Sequence, residues 1–149
     1  MILVSACLIG LNTKYDGGNN INRVFVDLVK QGKAIPFCPE QAGGLPTPRY
    51  PAEIVSGNGY DVLDGKARVV NKEGMNVTKE FIKGAQETLR LAKLVQAKEV
   101  IFKAKSPSCG SSLIYDGSFS GKLCPGPGIT AALLLRNGIK VISSDEYLK

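Results

Sequence analysis

Four short apolar runs punctuate the chain, and segments whose apolar positions return every three to four residues alternate with them. Ile2–Ala6, Ala34–Phe37, Glu99–Lys103 and Lys140–Ser143 are rich in β-branched and aliphatic residues; the first leads to a loop at Gly10 and Asn12, and the second closes on Cys38-Pro39. Runs of this length and composition predict buried strands. Between them, Val24, Phe25, Leu28 and Val29 share a helical face within Asn22–Gln31, and Gly32 stops it. Phe81, Ile82, Ala85, Leu89, Ala92 and Val95 predict a longer helix that starts with Thr78 as its cap and runs to about Gln96. A last helix is predicted over Ile129–Asn137, closed by Gly138.

Strand and helix in alternation imply an α/β fold with right-handed crossovers. The expected architecture has three layers: a mostly parallel four-stranded sheet, strand order 2-1-3-4, with helices on both faces. Asp64-Gly65, flanked by Tyr60–Leu63 and Lys66–Val70, carries the signature of a two-residue β-hairpin, expected as a small insertion. Pro39–Pro51 holds four of the eight prolines and is expected to be an ordered loop. No repeat or linker divides residues 1–149, so one domain is expected.

Composition narrows the class. Hydrophobic residues make up 44% and charged residues 21%, which argues against both disorder and a membrane span. Met1–Leu11 has no basic residue ahead of its apolar stretch, and Lys14–Gly18 follows in place of a cleavage site. We read it as a strand and its exit, which places the protein in the cytoplasm. Thiols stay reduced there, so the four cysteines are expected to be free, metal-binding or catalytic. A net charge of +6 favours anionic partners, yet the lysines are scattered and no stacking platform is visible, so nucleic acid is an unfavoured partner.

Parallel sheets bind ligands beyond the carboxyl ends of their strands. Cys7 follows strand one, Cys38 ends strand two, and Cys109 lies six residues beyond strand three. Any one of them reads equally well as a small buried hydrophobe. Together they mark one rim. Three thiolates suit zinc completed by another ligand, or an iron–sulfur centre with one iron left open. No histidine is present to serve zinc, and Cys124 lacks the strand-end logic and is read as structural.

Other groups near the rim have two readings each. Glu40 is a candidate proton carrier or a surface carboxylate. Ser106 and Ser108 either act on a ligand or hold their own turn. Lys103 and Lys105 either neutralise an anion or face solvent. Lys14–Asn19 forms a lid or a plain turn, and Gly126-x-Gly128 ahead of a helix is a faint phosphate-cradle pattern.

Val4–Leu8, Tyr15-Asp16-Gly17-Gly18, Cys38-Pro39-Glu40, Gly44–Arg49 and Lys105–Gly110 together resemble the DUF523 family, which includes the thiouracil desulfidases. The resemblance spans almost the whole chain. It implies a [4Fe–4S] cluster held by Cys7, Cys38 and Cys109, with the fourth iron free to take the sulfur of a thiolated substrate. It further implies proton transfer by Glu40 and substrate positioning or activation by Ser106. The implied activity is a non-redox hydrolysis of a C–S bond in a thiolated nucleobase or nucleoside. Many members carry a cysteine where this chain has Thr13, so that position is not an obligatory ligand. Two other readings remain at this stage: a metal-free persulfide sulfurtransferase built on a low-pKa thiolate, and a module that binds thiolated RNA.

Overall fold

The computed structural model describes Met1–Lys149. Its central sheet is formed by β1 (Ile2–Ser5), β2 (Ala34–Phe37), β5 (Glu99–Phe102) and β8 (Lys140–Ser143). All pairings are parallel, in the spatial order β2-β1-β5-β8. Counted among themselves, these strands stand in the expected 2-1-3-4 order.

Alternation along each strand sends side chains to two different cores. Leu3, Val100, Phe102 and Val141 meet Ala92 of α4 (Thr78–Leu94) and Ala131 and Leu134 of α5 (Ile129–Arg136) on one face. Val4, Ile101 and Ala34 meet Phe25 of α1 (Arg23–Lys30) on the other, with Ile142 and Tyr147 against them. Tyr147 belongs to a one-turn C-terminal helix, α6 (Ser144–Tyr147), that the sequence pattern did not announce. Helix α1 is short and starts at Asn22, whose side chain accepts a hydrogen bond from the Val24 amide. Phe25 is its fully buried anchor, a contact contributing roughly 1.5–3 kcal/mol.

The expected hairpin around Asp64-Gly65 is not formed there. Gly59–Leu63 is a helix, α3, because Asn58 and Asp61 make a reciprocal capping box: Asn58 accepts from the amides of Tyr60 and Asp61, and Asp61 accepts from the Asn58 amide. Gly65, at φ +76°, ends that helix instead of turning a hairpin. The antiparallel pair exists with a different first strand, β3 (Ala52–Val55) against β4 (Arg68–Asn71). A second pair joins β6 (Leu113–Tyr115) and β7 (Leu123–Pro125). Ile54, Val62, Val69, Ile114 and Ile129 unite these additions with Phe81 and Ala85 of α4. Thr78 begins α4 but does not cap it. Its hydroxyl accepts from the Val69 amide, and Asn76 accepts from the Thr78 amide instead.

Within the proline-rich segment one turn of helix, α2 (Pro39–Ala42), leans on α4 through two glycines. A Cβ at Gly43 would lie 2.0 Å from the Glu80 carbonyl, and one at Gly84 would lie 2.1 Å from the Pro39 carbonyl. Because α2 carries Glu40 and begins at Cys38, this close approach sets where both residues stand. Gly84→Ala is expected to destabilise the protein by about 1–3 kcal/mol through overpacking. A thermal melt would show the lower midpoint, and an unchanged melt would contradict the contact.

Candidate functional site

The rim at the carboxyl ends of β1, β2 and β5 opens into a cavity of about 620 Å³ lined by Cys7, Cys38 and Cys109. Glu40 and Ser106 line it too. Each cysteine arrives differently. Cys7 lies in a 3-10 turn, Ala6–Ile9, that ends at Gly10. Its carbonyl accepts from the Asn20 amide at 2.9 Å, and its sulfur accepts from the Asn20 side chain at 3.7 Å. Cys38 is the N-cap of α2, and its thiol points to the Thr13 carbonyl at 3.9 Å. Cys109 sits in the turn after β5, whose carbonyls are fastened to the start of α5. Pro107 accepts from Ile129, Ser108 from Thr130 and Ala131, and Gly110 from Gly128. The Ser108 and Thr130 hydroxyls are 2.7 Å apart and fully buried.

Those bonds remove the phosphate-cradle reading of Gly126-x-Gly128. The first amides of α5 are already occupied by the cysteine-bearing turn, leaving no donors for an anion. Gly128 is required for a different reason, since a Cβ there would lie 2.5 Å from the Pro107 carbonyl. Cys124 is on β7, partly buried against the core under α4, and does not line the cavity.

Ser106 holds its own turn and also reaches Glu40. Its hydroxyl oxygen accepts from the amides of Ser108 and Cys109 at 3.1 Å each, which stabilises the turn. With both amides on its lone pairs, its proton is directed to Glu40 Oε2 at 3.2 Å. The other carboxylate oxygen, Oε1, accepts from Arg49 Nε at 3.1 Å. Arg49, the last residue of the Gly44–Arg49 motif, stands at the centre of this network. Its side chain is only 6% exposed, and it also donates to the carbonyls of Thr13 and Pro46 and to the Thr47 hydroxyl. One guanidinium thereby ties together the loops that carry Thr13, Glu40 and Pro46. No spacing rule marks such a residue; only its place in a rigid proline-rich loop hinted at it.

Lys14, Arg49, Lys72, Lys103 and Lys105 line the cavity against two carboxylates, Glu40 and Glu53. The cationic wall suits an anionic occupant. Residues Lys14–Asn19 form a wall by way of a plain turn: Asp16 accepts from the Gly18 amide, and Lys14 and Tyr15 face inward. A neighbouring cavity of about 570 Å³ shares Glu40 and Arg49 but is mainly apolar and has no cysteine.

Burial pushes the thiol pKa of Cys7 and Cys38 up from 9.0, and that of Cys109 well above it. At Cys109 the nearby Glu40, Cys38 and Cys7 add to the rise, while Ser108 opposes it. Lys103 and Lys14 oppose the rise at Cys7, and Arg49 opposes it at Cys38, without overcoming burial. Folded thiols with raised pKa values hold their protons more tightly than unfolded ones do. Their stabilisation is complete below the ordinary thiol value of 9.0 and is lost as pH climbs through it. Metal-free protein is therefore expected to unfold at lower urea at about pH 10 than at about pH 7, measured anaerobically. A midpoint independent of pH over that interval would contradict the burial.

No three Cys, Asp or Glu side chains meet at a point that could hold a single metal ion. A mononuclear zinc site asks for sulfurs within about 2.3 Å of one atom. Three soft donors spread around a cationic cavity fit a larger polynuclear group better. No helix is long and apolar enough to cross a membrane.

Comparison with known proteins places these features in company. A profile of the family described as 2-thiouracil desulfurase matches residues 2–146. The uncharacterized protein YbbK of Bacillus subtilis (strain 168) is 49% identical over 146 residues, covering 98% of this chain and 97% of YbbK. The solved structure of the [4Fe–4S]-dependent thiouracil desulfidase TudS is similar with a TM-score of 0.85 and 44% identity, covering 97% of this chain and 91% of TudS.

Proposed function

The chain belongs to the 2-thiouracil desulfurase family, and from that premise we propose that it is a [4Fe–4S]-dependent desulfidase acting on a thiolated pyrimidine or related small thiolated compound. The reaction would be hydrolytic: a thiocarbonyl and water give a carbonyl, hydrosulfide and a proton, with no net transfer of electrons. The observation that carries the proposal is the convergence of Cys7, Cys38 and Cys109 on one cationic cavity that also presents the Glu40–Ser106 pair.

Cys7, Cys38 and Cys109 would hold the cluster, whose open iron supplies a Lewis acid with an affinity for sulfur. Loading must release the thiol protons, and the basic lining offsets the negative charge that this creates. Glu40 takes a proton from the attacking water, and the Ser106 hydroxyl that donates to it orients the carboxylate. Glu40 then gives that proton to the departing sulfur as the C–S bond opens, while the hydroxyl proton of the adduct passes to solvent. Arg49 keeps the carboxylate at the cavity wall while these transfers occur. The metal-free persulfide reading has less support, because burial shifts all three thiols away from the reactive thiolate form.

Anaerobic reconstitution with iron and sulfide, followed by a screen of thiolated nucleobases and nucleosides, tests the proposal. Expected are about four irons and four sulfides per chain and hydrosulfide release that is insensitive to salt. Colourless, iron-free protein carrying labile sulfur on a cysteine would favour the sulfurtransferase. Turnover or binding that collapses with salt would favour the RNA-binding alternative.

A further inference from the structure

Two of the four non-glycine residues with positive φ line the same cavity: Lys105 at +70° and Phe119 at +56°. A bulky aromatic residue in the left-handed region is an outlier, and such outliers persist only where the surroundings enforce them. The enforcement at Phe119 is visible. Glu53 on β3 is 9% exposed, and its Oε1 accepts from the amides of Gly117 at 2.9 Å and Phe119 at 3.1 Å. Gly117, at φ +93°, lies so close to β3 that a Cβ would stand 2.5 Å from the Ile54 carbonyl. The tip of the β6–β7 hairpin is thus drawn down onto β3 by a buried carboxylate. Phe119 is left 36% exposed as a residue at the cavity that Cys7, Cys38 and Cys109 share.

A large apolar ring kept partly in water by a strained backbone has no packing reason to be there. A flat conjugated ligand supplies one, since aromatic side chains stack offset on heterocycles of any sequence or substitution. We propose that Phe119 is a specificity-determining residue on which a planar thiolated heterocycle stacks, and that Glu53 is the positioning residue that holds the Gly117–Phe119 backbone over the cavity. The inference rests on the desulfidase reading and narrows its substrate class to conjugated rings, against saturated or open-chain thiocarbonyl compounds.

The test uses reconstituted holoenzyme with 2-thiouracil and its saturated relative, 5,6-dihydro-2-thiouracil. Wild type is expected to favour the conjugated ring. Phe119→Leu should raise KM for 2-thiouracil by about 5- to 150-fold, the range of one lost stacking contact, and erase the preference between the rings. Iron content should not change, and Phe119→Tyr should restore the preference. Glu53→Ala should reproduce the KM increase, whereas Glu53→Gln, whose amide oxygen can still accept both backbone N–H groups, should keep the preference. Phe119→Leu holoenzyme with the wild-type KM ratio for the two rings would overturn the inference and leave the desulfidase reading standing. Wild-type holoenzyme that releases hydrosulfide from neither ring would overturn both.

Discussion

Serine in place of any one of Cys7, Cys38 or Cys109 is expected to abolish retention of iron and sulfide, while Cys124→Ser retains both. The contrast follows from place rather than residue type. The first three sulfurs line one cavity at the ends of three neighbouring parallel strands, whereas Cys124 lies on the β6–β7 hairpin against another core. Serine removes the soft donor that selects iron–sulfur centres and leaves an alcohol that ionises far less readily. With only two thiolates remaining, the charge and geometry that hold such a centre are lost, and the effect should be complete rather than graded. Iron and acid-labile sulfide assays after anaerobic reconstitution and desalting would measure it. Full iron content in any of the three serine variants, or loss of iron in Cys124→Ser, would refute the ligand assignment.

Glu40→Gln is expected to keep the cluster and lower kcat by about 10²- to 10⁴-fold, the usual contribution of a positioned general acid–base group. Glutamine preserves the shape of the side chain and an oxygen that can accept from Arg49 or Ser106, but it cannot exchange a proton. Glu40→Ala is the less clean variant. It would leave Arg49, only 6% exposed, without its carboxylate, and stranding a buried charge typically costs about 3–5 kcal/mol. Steady-state hydrosulfide release per mole of bound iron separates the two effects. Wild-type kcat in Glu40→Gln would remove the carboxylate from the chemistry.

Much of this arrangement was legible in the chain itself, and the reasons differ from element to element. The four parallel strands declared themselves because each is a short run rich in β-branched and aliphatic residues, and β2 and β8 have the expected bounds. Cys7 and Cys38 could be placed because they abut strand ends, where the backbone direction fixes which rim they reach. Asp64-Gly65 misled because a turn dipeptide is neutral about what precedes it; the capping pair Asn58 and Asp61 decided for a helix. The β6–β7 hairpin was missed because its strands, Leu113–Tyr115 and Leu123–Pro125, are too short for a period of two to register. Arg49, Glu53 and Phe119 went unmarked because the fold brings together what the sequence separates: Arg49 reaches the Thr13 carbonyl across 36 residues. Glu53 reaches its backbone partners across 64 and 66 residues, a relation that no local pattern encodes.

Protein-to-protein bonds fix all three cysteine turns: Asn20 to the Cys7 carbonyl, the Ala42 amide to the Cys38 carbonyl, and the first amides of α5 to the turn that bears Cys109. None of these contacts asks iron to complete it. On the desulfidase reading, the chain's own backbone therefore positions the sulfurs, and a change at Asn20, Ala42 or the first turn of α5 would move a ligand without replacing one.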